Sequence, residues 1–471
     1  MLAFWGLGWM RALGTQSVPR LGEIRINGGV LLFTFALSIV SAILFGLAPA
    51  MRAASLDLQS ELKDGHGTPA GLALWGRRHR TRQILVIVEV TLAVMLLVGA
   101  GLLIRSFAQL QRVPTGFNAE RVLTLAITLS GRKYPDTATV QVAYRDLWNR
   151  LARVPGAIAV GGVSSLPLSH MMAWGPIEVE GRVAAPGERF VNADQRVAAA
   201  DYFGVMEIPL RQGRLFNAED TVTSPRVAIV DERMAQQLWP GADPIGRRIR
   251  NGGIDASATA PWITIVGVVG NIKQDALDVD SRMALYLAQT QLTPRGINVL
   301  VRSHAEPTAL TSAVSQAIAD MDPDLPLYDI RTMEQRVDES LAGRRFSMLL
   351  LTIFATLASG LAALGIYGVV AFLVVQGTRE MGIRMALGAT PRGIWLLVMR
   401  YGLVIAAAGL VLGVGGAFVL TRVMRSLLFG VASTDPITYV LAAGLVVATA
   451  LAACYLPARR AARLDPMRSL R

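Results

Sequence analysis

Long apolar runs dominate the pattern of hydrophobic and polar positions in this chain of 471 residues. Because a helix needs about 20 mostly apolar residues to cross a bilayer, each such run predicts a membrane span. Four runs contain no Asp, Glu, Lys or Arg, and a fifth contains only Glu89; they cover residues 28–50, 83–104, 346–375, 402–420 and 437–456. The pattern therefore predicts an integral membrane protein with about five helical spans.

Residues 105–345, between the second and third spans, have the mixed pattern of a water-soluble domain. Strand-like runs cover residues 158–163, 177–181, 226–230, 262–269 and 298–302, and helical spacing covers 137–154, 231–239 and 307–320. Asp231 is expected to cap the second of these helices. We therefore predict a large α+β extracytoplasmic domain of two lobes, inserted between two spans.

Basic residues near the span ends predict the orientation of the chain in the membrane. Arginines concentrate in residues 51–82, in the loop 376–400 and in the tail after Pro457, whereas the loop 421–436 carries only two. With five spans, the three arginine-rich segments share one side, which is then cytoplasmic. The domain at 105–345 is predicted to lie outside.

Composition agrees with a membrane protein and excludes several other classes. Hydrophobic residues make up 52% of the chain and charged residues only 17%. A disordered chain has the opposite composition, with few hydrophobic and many charged residues, so this class is excluded. Cys454 is the only cysteine, so a disulfide-built fold is excluded. The net charge of +12 comes from dispersed basic residues without an interleaved aromatic patch, so we predict membrane-lipid contact and no nucleic-acid binding.

Catalytic chemistry finds no support in the residues. The four histidines, His66, His79, His170 and His304, stand in no metal-ligand spacing. A phosphate-binding loop of the GxxxxGK[ST] type is absent, because none of the three lysines follows a glycine. We predict no catalytic residue, no metal site and no cofactor in this chain, so that any ATP-driven work needs a separate ATPase.

One internal repeat stands out. Residues 49–63 read PAMRAASLDLQSELK and residues 457–471 read PARRAARLDPMRSLR, and eight of the fifteen positions are identical. Both copies directly follow an apolar run. The repeat indicates that one module end occurs twice, so that residues 1–64 would be the remnant of a first unit and 65–82 a basic cytoplasmic linker; chance similarity between Ala/Arg-rich segments is the alternative.

The loop between the third and fourth spans predicts a short surface helix. Residues 378–390 read TREMGIRMALGAT, in which Gly388 suits the position just beyond a helix end. Thr390 and Pro391 then suit the cap and first position of the next helix. Such a helix can pass force from a soluble partner into both neighbouring spans, or it can simply lie on the lipid headgroups.

Small residues and one acid mark the spans themselves. Gly402, Gly409, Gly413 and Gly444 permit close helix packing, either within one bundle or against a second bundle. Glu89 is the only acidic residue in a predicted span. It can pair with Arg82 or reach the headgroups, or it can act at a gate or interface.

The loop, the chain end and several outer stretches together resemble the FtsX-like permeases of ABC transporters, of the MacB type. TREMGIRMALGAT is similar to the family's coupling helix, and PARRAARLDPMRSLR to its closing motif. DYFGVMEIPLRQGRLF (201–216), VAIVDERMAQQLWPGADPIGRRI (227–249) and TIVGVVGNIKQDALD (264–278) resemble the MacB-type periplasmic core. The resemblance implies that a cytoplasmic ATPase would contact Arg379, Glu380, Gly382, Ile383, Arg384, Ala386, Leu387 and Gly388.

What the resemblance implies is a bacterial inner-membrane permease with residues 105–345 in the periplasm and an FtsX-like domain at 346–471. ATP and magnesium would bind the partner ATPase, and a second permease unit would complete the assembly. Movement of the outer domain, called mechanotransmission, would export or extract a hydrophobic or peptide-like substrate. The alternatives are a regulator of an envelope hydrolase, a structural or sensory membrane protein without an ATPase, or an inactive fragment of the duplicated permeases described from acidobacteria, which the chain most resembles.

Overall fold

A computed structural model of the chain describes residues 27–54, 80–169, 174–182, 191–252 and 260–463. Residues Arg112–Ala342 form one compact unit, the outer unit, and the residues on both sides of it in the chain form a second, the helical unit. Residues 1–26, 55–79 and 464–471 lie outside the described residues, and with them much of both repeat copies, the basic linker, His66 and His79.

The elements alternate between long helices and short strands. The α-helices are α1 (Gly28–Ala54), α2 (Arg80–Leu110), α3 (Thr137–Leu151), α4 (Tyr202–Val205), α5 (Glu232–Leu238), α6 (Thr311–Ala319), α7 (Met333–Gln376), α8 (Thr378–Ala386), α9 (Pro391–Val423) and α10 (Pro436–Ala461). The strands are β1 (Val122–Thr128), β2 (Ala157–Val163), β3 (Trp174–Val179), β4 (Val191–Ala200), β5 (Leu210–Gly213), β6 (Val227–Asp231), β7 (Arg248–Asn251), β8 (Ile263–Val269), β9 (Ala284–Ala288), β10 (Gly296–Ser303) and β11 (Leu327–Thr332).

Four of the five predicted spans lie in helices that are long and apolar enough to cross a membrane. These helices are α2, α7, α9 and α10. The first predicted span, 28–50, lies in α1, whose described apolar segment Gly28–Val40 is shorter than a span. The crossing by α1 therefore stays a prediction.

The outer unit is built on one continuous set of paired strands. They follow the order β11-β1-β10-β2-β4-β3-β7-β8-β6-β9, and β4 also pairs with β9. The second pairing closes β4, β3, β7, β8, β6 and β9 into a ring, so that β4 belongs both to this ring and to the open sheet of β11, β1, β10 and β2.

The described residues of the outer unit include two large apolar clusters. Helices α3 and α6 cover the open sheet, with Tyr144 and Val314 buried against Val299. Inside the strand ring, Val230 and Leu285 pack with their neighbours to form the second core. The predicted cap is also present: Asp231 Oδ1 accepts the backbone N–H of Met234 at 2.8 Å, and α5 follows.

Strands β1, β4, β5, β7, β9 and β11 were not predicted from the pattern. Strand β4 shows the reason most clearly, because its sequence VNADQRVAAA lacks an apolar alternation. Arg196 is fully buried there, and it donates two hydrogen bonds to the Asp194 carboxylate at 3.0 and 3.1 Å and a third to Ser165 O. Residues two apart on a strand share a face, so the pair neutralises itself only once the fold has formed.

Candidate coupling site in the helical unit

The short surface helix predicted between two spans is present as α8. Gly377 separates it from α7, and the hydroxyl of Thr378 donates to the carbonyl of Val374 at 2.9 Å. The last turn of α7 and the first turn of α8 are therefore joined by a side-chain hydrogen bond across a one-residue break.

The end of α8 has the predicted chemistry. Gly388 has a φ of +99°, the left-handed conformation that glycine adopts without strain. Its N–H donates to Met385 O at 3.0 Å, and the N–H of Ala389 donates to Arg384 O at 2.9 Å, which together form a Schellman motif. Thr390 then caps α9, because its hydroxyl accepts the N–H of Gly393 at 3.2 Å.

Helix α8 presents two different faces. Met381 is 4% exposed and joins the apolar core of the helical unit, and Gly382 is buried beside it. Ile383 is 43% and Leu387 83% exposed, and Ala386 lies exposed between them. One side of the helix is thus anchored to the bundle, while the other offers an apolar strip to a partner or to lipid.

Charge on α8 is largely self-compensated. The Arg384 guanidinium contacts the Glu380 carboxylate at 2.6 Å, and both side chains are partly buried. The backbone of Arg379 lies in the helix, but its side chain is outside the described atoms.

Two of the predicted packing glycines bring α9 against α2. A methyl group added at Gly409 would lie 2.6 Å from Val90 Cβ, and one at Gly413 would lie 2.5 Å from Val94 Cβ. Real side chains do not approach so closely, so both positions require the missing Cβ.

The other two packing glycines differ from each other. A methyl group at Gly402 would collide with the Sγ atom of Cys454 in α10, whereas one at Gly444 would meet no described atom within 4 Å. Three of the four glycines therefore serve contacts within this bundle. Gly444 leaves room for a contact from outside it, and its predicted role in a second-bundle interface stays a prediction.

Glu89 lies against α7 at Gly365, where an added methyl group would collide with its carboxylate. Among the described atoms, Glu89 Oε2 has no hydrogen-bond partner. The ion pair with Arg82 considered from the sequence is not formed, because the Arg82 guanidinium instead lies 4.2 Å from the centre of the Phe372 ring.

One ionic contact at the other end of the bundle escaped the sequence analysis. Arg105, near the end of α2, forms an ion pair with Asp435, which caps α10. Asp435 accepts hydrogen bonds from the Thr438 hydroxyl at 2.6 Å and N–H at 2.9 Å. The Thr438 hydroxyl and then Arg105 lower the pKa of the Asp435 carboxyl. No spacing rule links residues this far apart in the chain.

Metal binding gains no candidate from the geometry. Within the residues that the structure describes, no group of three or more His, Cys, Asp and Glu side chains could hold an ion. His304 is an exposed loop residue, and His170 lies outside the described residues.

Comparison with known families assigns the two parts of the chain. The MacB-like periplasmic core domain matches residues 84–319, half of the chain, and the FtsX-like permease C-terminal domain matches residues 352–466. The chain belongs to the MacB-like family. This MacB-like permease is a multi-pass protein of the inner membrane with its outer unit on the periplasmic side, and α8 lies within the FtsX-like match. The acidobacterial subgroup stays a prediction.

Named relatives resemble the MacB-like permease over part of their length. The macrolide export ATP-binding/permease protein MacB of Azoarcus sp. (strain BH72) is 30% identical over 296 residues, which are 59% of this chain and 43% of that protein. The protein of the same name from Bordetella avium is 25% identical over 334 residues, 68% of this chain and 47% of that protein. The chain thus spans about half the length of these relatives.

Solved structures of outer domains also resemble it. The periplasmic region of MacB from Actinobacillus actinomycetemcomitans covers 48% of this chain at 16% identity, with 94% of its own length and a TM-score of 0.32. The extracellular domain of the noncanonic ABC-type transporter YknZ covers 44% of this chain at 15% identity, with 100% of its own length and a TM-score of 0.29. These low scores add nothing to the family assignment.

Proposed function

We propose that this MacB-like permease couples ATP hydrolysis by a separate cytoplasmic ATPase to movement of its outer unit. The relatives' names join an ATP-binding part to a permease, and the chain matches less than half of their length. The chain itself has no phosphate-binding loop. ATP and magnesium would therefore bind the partner.

The observation that carries the proposal is the single helix α7. Its 44 residues begin directly after β11 of the outer unit and end one residue before α8. At 1.5 Å per residue it is about 66 Å long, roughly twice the thickness of the hydrocarbon core. A push on α8 would thus enter the helix that continues to the outer unit.

The ATPase would bind the exposed strip of α8. Ile383, Ala386 and Leu387 are spaced three and four residues apart, which places them on one helix face. Buried Met381 holds the opposite face on the bundle, so a force applied to the strip reaches the spans. Apolar anchors at this spacing are the usual contacts of a helix seated in a groove.

The substrate proposed is hydrophobic or peptide-like. Within the predicted span segments 83–104, 346–375, 402–420 and 437–456, Glu89 is the only acidic residue, which argues against an aqueous ion path through one bundle. A large outer unit joined to such spans is suited to expel or extract a molecule from the periplasm or the outer leaflet.

The coupling is tested with the full chain reconstituted in liposomes together with a candidate ABC ATPase of the same organism. Leu387→Asp should lower ATPase binding and permease-stimulated hydrolysis at least about tenfold, because a charge replaces an apolar interface anchor. Arg384→Glu should also weaken binding, since it places like charge beside Glu380. Arg392→Glu, an exposed arginine two residues into α9, is the matched control and should change little.

Unchanged ATPase binding in both Leu387→Asp and Arg384→Glu would overturn the assignment of α8. The substrate class is tested separately, by measuring ATPase stimulation with lipids, hydrophobic peptides and macrolides. No stimulation by any of them, together with co-purification of an envelope hydrolase, would favour the non-transporting regulator instead.

A further inference from the structure

A cavity of about 470 Å³ opens in the helical unit where α7, α8 and α9 meet. Its wall is apolar along Leu373, Val374 and Val404, and Arg384, Arg400 and Tyr401 also line it. The cavity therefore combines an apolar wall with two guanidinium groups. Apart from Arg384, none of the residues that line it is given a part in ATPase binding.

The depth of the cavity follows from the elements that form it. It lies at the end of α7, beside α8 and near the start of α9, which is the arginine-rich end that faces the cytoplasm. Gln83, near the start of α2, donates a hydrogen bond to the hydroxyl of Tyr401 in its wall. The cavity is thus at the level where lipid headgroups meet the acyl chains.

The charge of the lining is positive. Arg384 keeps Glu380 as a partner, but Arg400 is exposed and forms no ion pair within the described part of the chain. No Asp or Glu is among the described lining residues. The guanidinium of an arginine beside an apolar wall can donate two parallel N–H hydrogen bonds to one phosphate.

We propose that this cavity binds the head end of an anionic phospholipid of the cytoplasmic leaflet. Arg400, with Arg384, would hold the phosphate, and the acyl chain would run along Val374 and Val404. Basic pockets between spans on the cytoplasmic side are suited to anionic headgroups. The apolar wall favours a lipid over free phosphate, because a soluble anion gains nothing from it.

A lipid seated there would touch all three helices of the proposed coupling path. It would fill the space between α8 and the spans, so that a push on α8 meets a packed surface rather than a void. Lipid occupancy would therefore set how stiffly α8 is joined to α7. The binding itself is independent of the proposed function and can be tested without an ATPase.

Native mass spectrometry of the purified full chain tests the site. The protein in detergent is mixed with equal amounts of palmitoyl-oleoyl phosphatidylglycerol and phosphatidylcholine, which differ only in headgroup. We expect preferential retention of phosphatidylglycerol. Arg400→Gln should lower that retention about fivefold, the factor for one basic group at a membrane surface, whereas Arg400→Lys should keep part of it.

Arg392→Gln is the matched control, because Arg392 is an exposed arginine of the same helix that does not line the cavity. Equal retention of the two lipids, or an equal loss in Arg392→Gln and Arg400→Gln, would overturn the proposal. Displacement by millimolar inorganic phosphate would show that only the anion is recognised and would also overturn it. So would a change of oligomeric state in Arg400→Gln without a change in lipid retention, since a second copy would then cover the cavity.

Discussion

In the outer unit, charged side chains are buried deep in the sheet and paired there, whereas the helical unit is joined mainly by backbones that approach closely. Arg196 and Asp194 are both inaccessible to solvent in the outer unit, and Arg302 donates to three backbone carbonyls from a nearly buried position. In the helical unit, by contrast, Gly409 and Gly413 of α9 let Val90 and Val94 of α2 pack directly against the α9 backbone.

The difference follows from the solvent that each unit meets. Water competes for the polar groups of an unfolded outer unit, so its buried pairs stabilise only when their geometry is complete. Lipid tails are as apolar as leucine, so spans gain little free energy from burying apolar surface. They associate instead through close van der Waals packing of complementary surfaces. We therefore expect the outer unit to be sensitive to the loss of one charge, and the helical unit to the gain of one methyl group.

The largest effect is expected at the buried pair of β4. Arg196→Met should lower the free energy of unfolding of the outer unit by about 3–5 kcal/mol, because it leaves the Asp194 carboxylate buried without a partner. Urea unfolding of the full chain in detergent, followed by tryptophan fluorescence, measures this. The double variant Asp194→Leu/Arg196→Met is the control and should recover most of the loss; a double variant less stable than the single one contradicts the account.

A pH-dependent effect of a few kcal/mol is expected at Asp231, at the end of β6. Burial raises the pKa of its carboxyl to about 7. The unfolded chain ionises this group near its ordinary pKa, so the folded state loses stability as the pH rises from about 4 to about 7 and loses no more above that. Asp231→Asn keeps a capping side chain.

Asp231→Asn should therefore match the parent near pH 4, exceed its unfolding free energy progressively up to about pH 7, and keep a constant advantage above that. Urea titrations of both proteins at several pH values provide the measurement. A difference between them that does not change with pH would show that Asp231 titrates normally in the folded chain.

The helical unit could be predicted closely because its signals are local. Length, apolarity, Gly388 and Thr390 are each properties of a few neighbouring residues, and they predicted five spans, of which four lie in long helices, together with α8, its end at Gly388 and the Thr390 cap of α9. The residues that line the basic cavity could not be found this way. Arg384 and Arg400 line the same cavity only in the folded chain, and their spacing in the sequence does not predict it.

The outer unit could be predicted only in part, because many of its stabilising contacts join residues that are far apart in the chain. Strands β2, β6, β8 and β10 carry continuous apolar runs that report burial directly. Strand β4 does not, because its buried charges are satisfied by Ser165 O and by each other, contacts that exist only in the folded sheet. Tertiary pairing here overrides what the sequence pattern favours.

A smaller effect is expected from adding volume between α9 and α2. Gly413→Leu should destabilise the bundle by about 1–3 kcal/mol, because its Cβ would meet Val94 at 2.5 Å. Gly415→Leu, in the same helix, is the matched control, since no described atom lies within 4 Å of that position. Thermal stability in detergent measures both variants; equal losses in the two would show that close packing at Gly413 is not responsible.

The smallest effect on stability is expected at two half-exposed ion pairs, one from each unit. Asp146 and Arg150 lie 2.8 Å apart on α3, and Glu380 and Arg384 lie 2.6 Å apart on α8; both pairs are four residues apart. Arg150→Gln and Arg384→Gln should each lower the free energy of unfolding by no more than about 0.5 kcal/mol. The two variants should therefore lose equally little stability. A difference between them in ATP hydrolysis must then come from the role of the residue in coupling.

That difference is expected in the rate of permease-stimulated ATP hydrolysis in the reconstituted complex. Arg384 lies between the proposed ATPase contact and the basic cavity, so Arg384→Gln should reduce stimulation severalfold while Arg150→Gln leaves it unchanged. If the two variants stimulate hydrolysis equally, the charge on α8 has no part in coupling, and the exposed apolar strip alone would have to transmit the force.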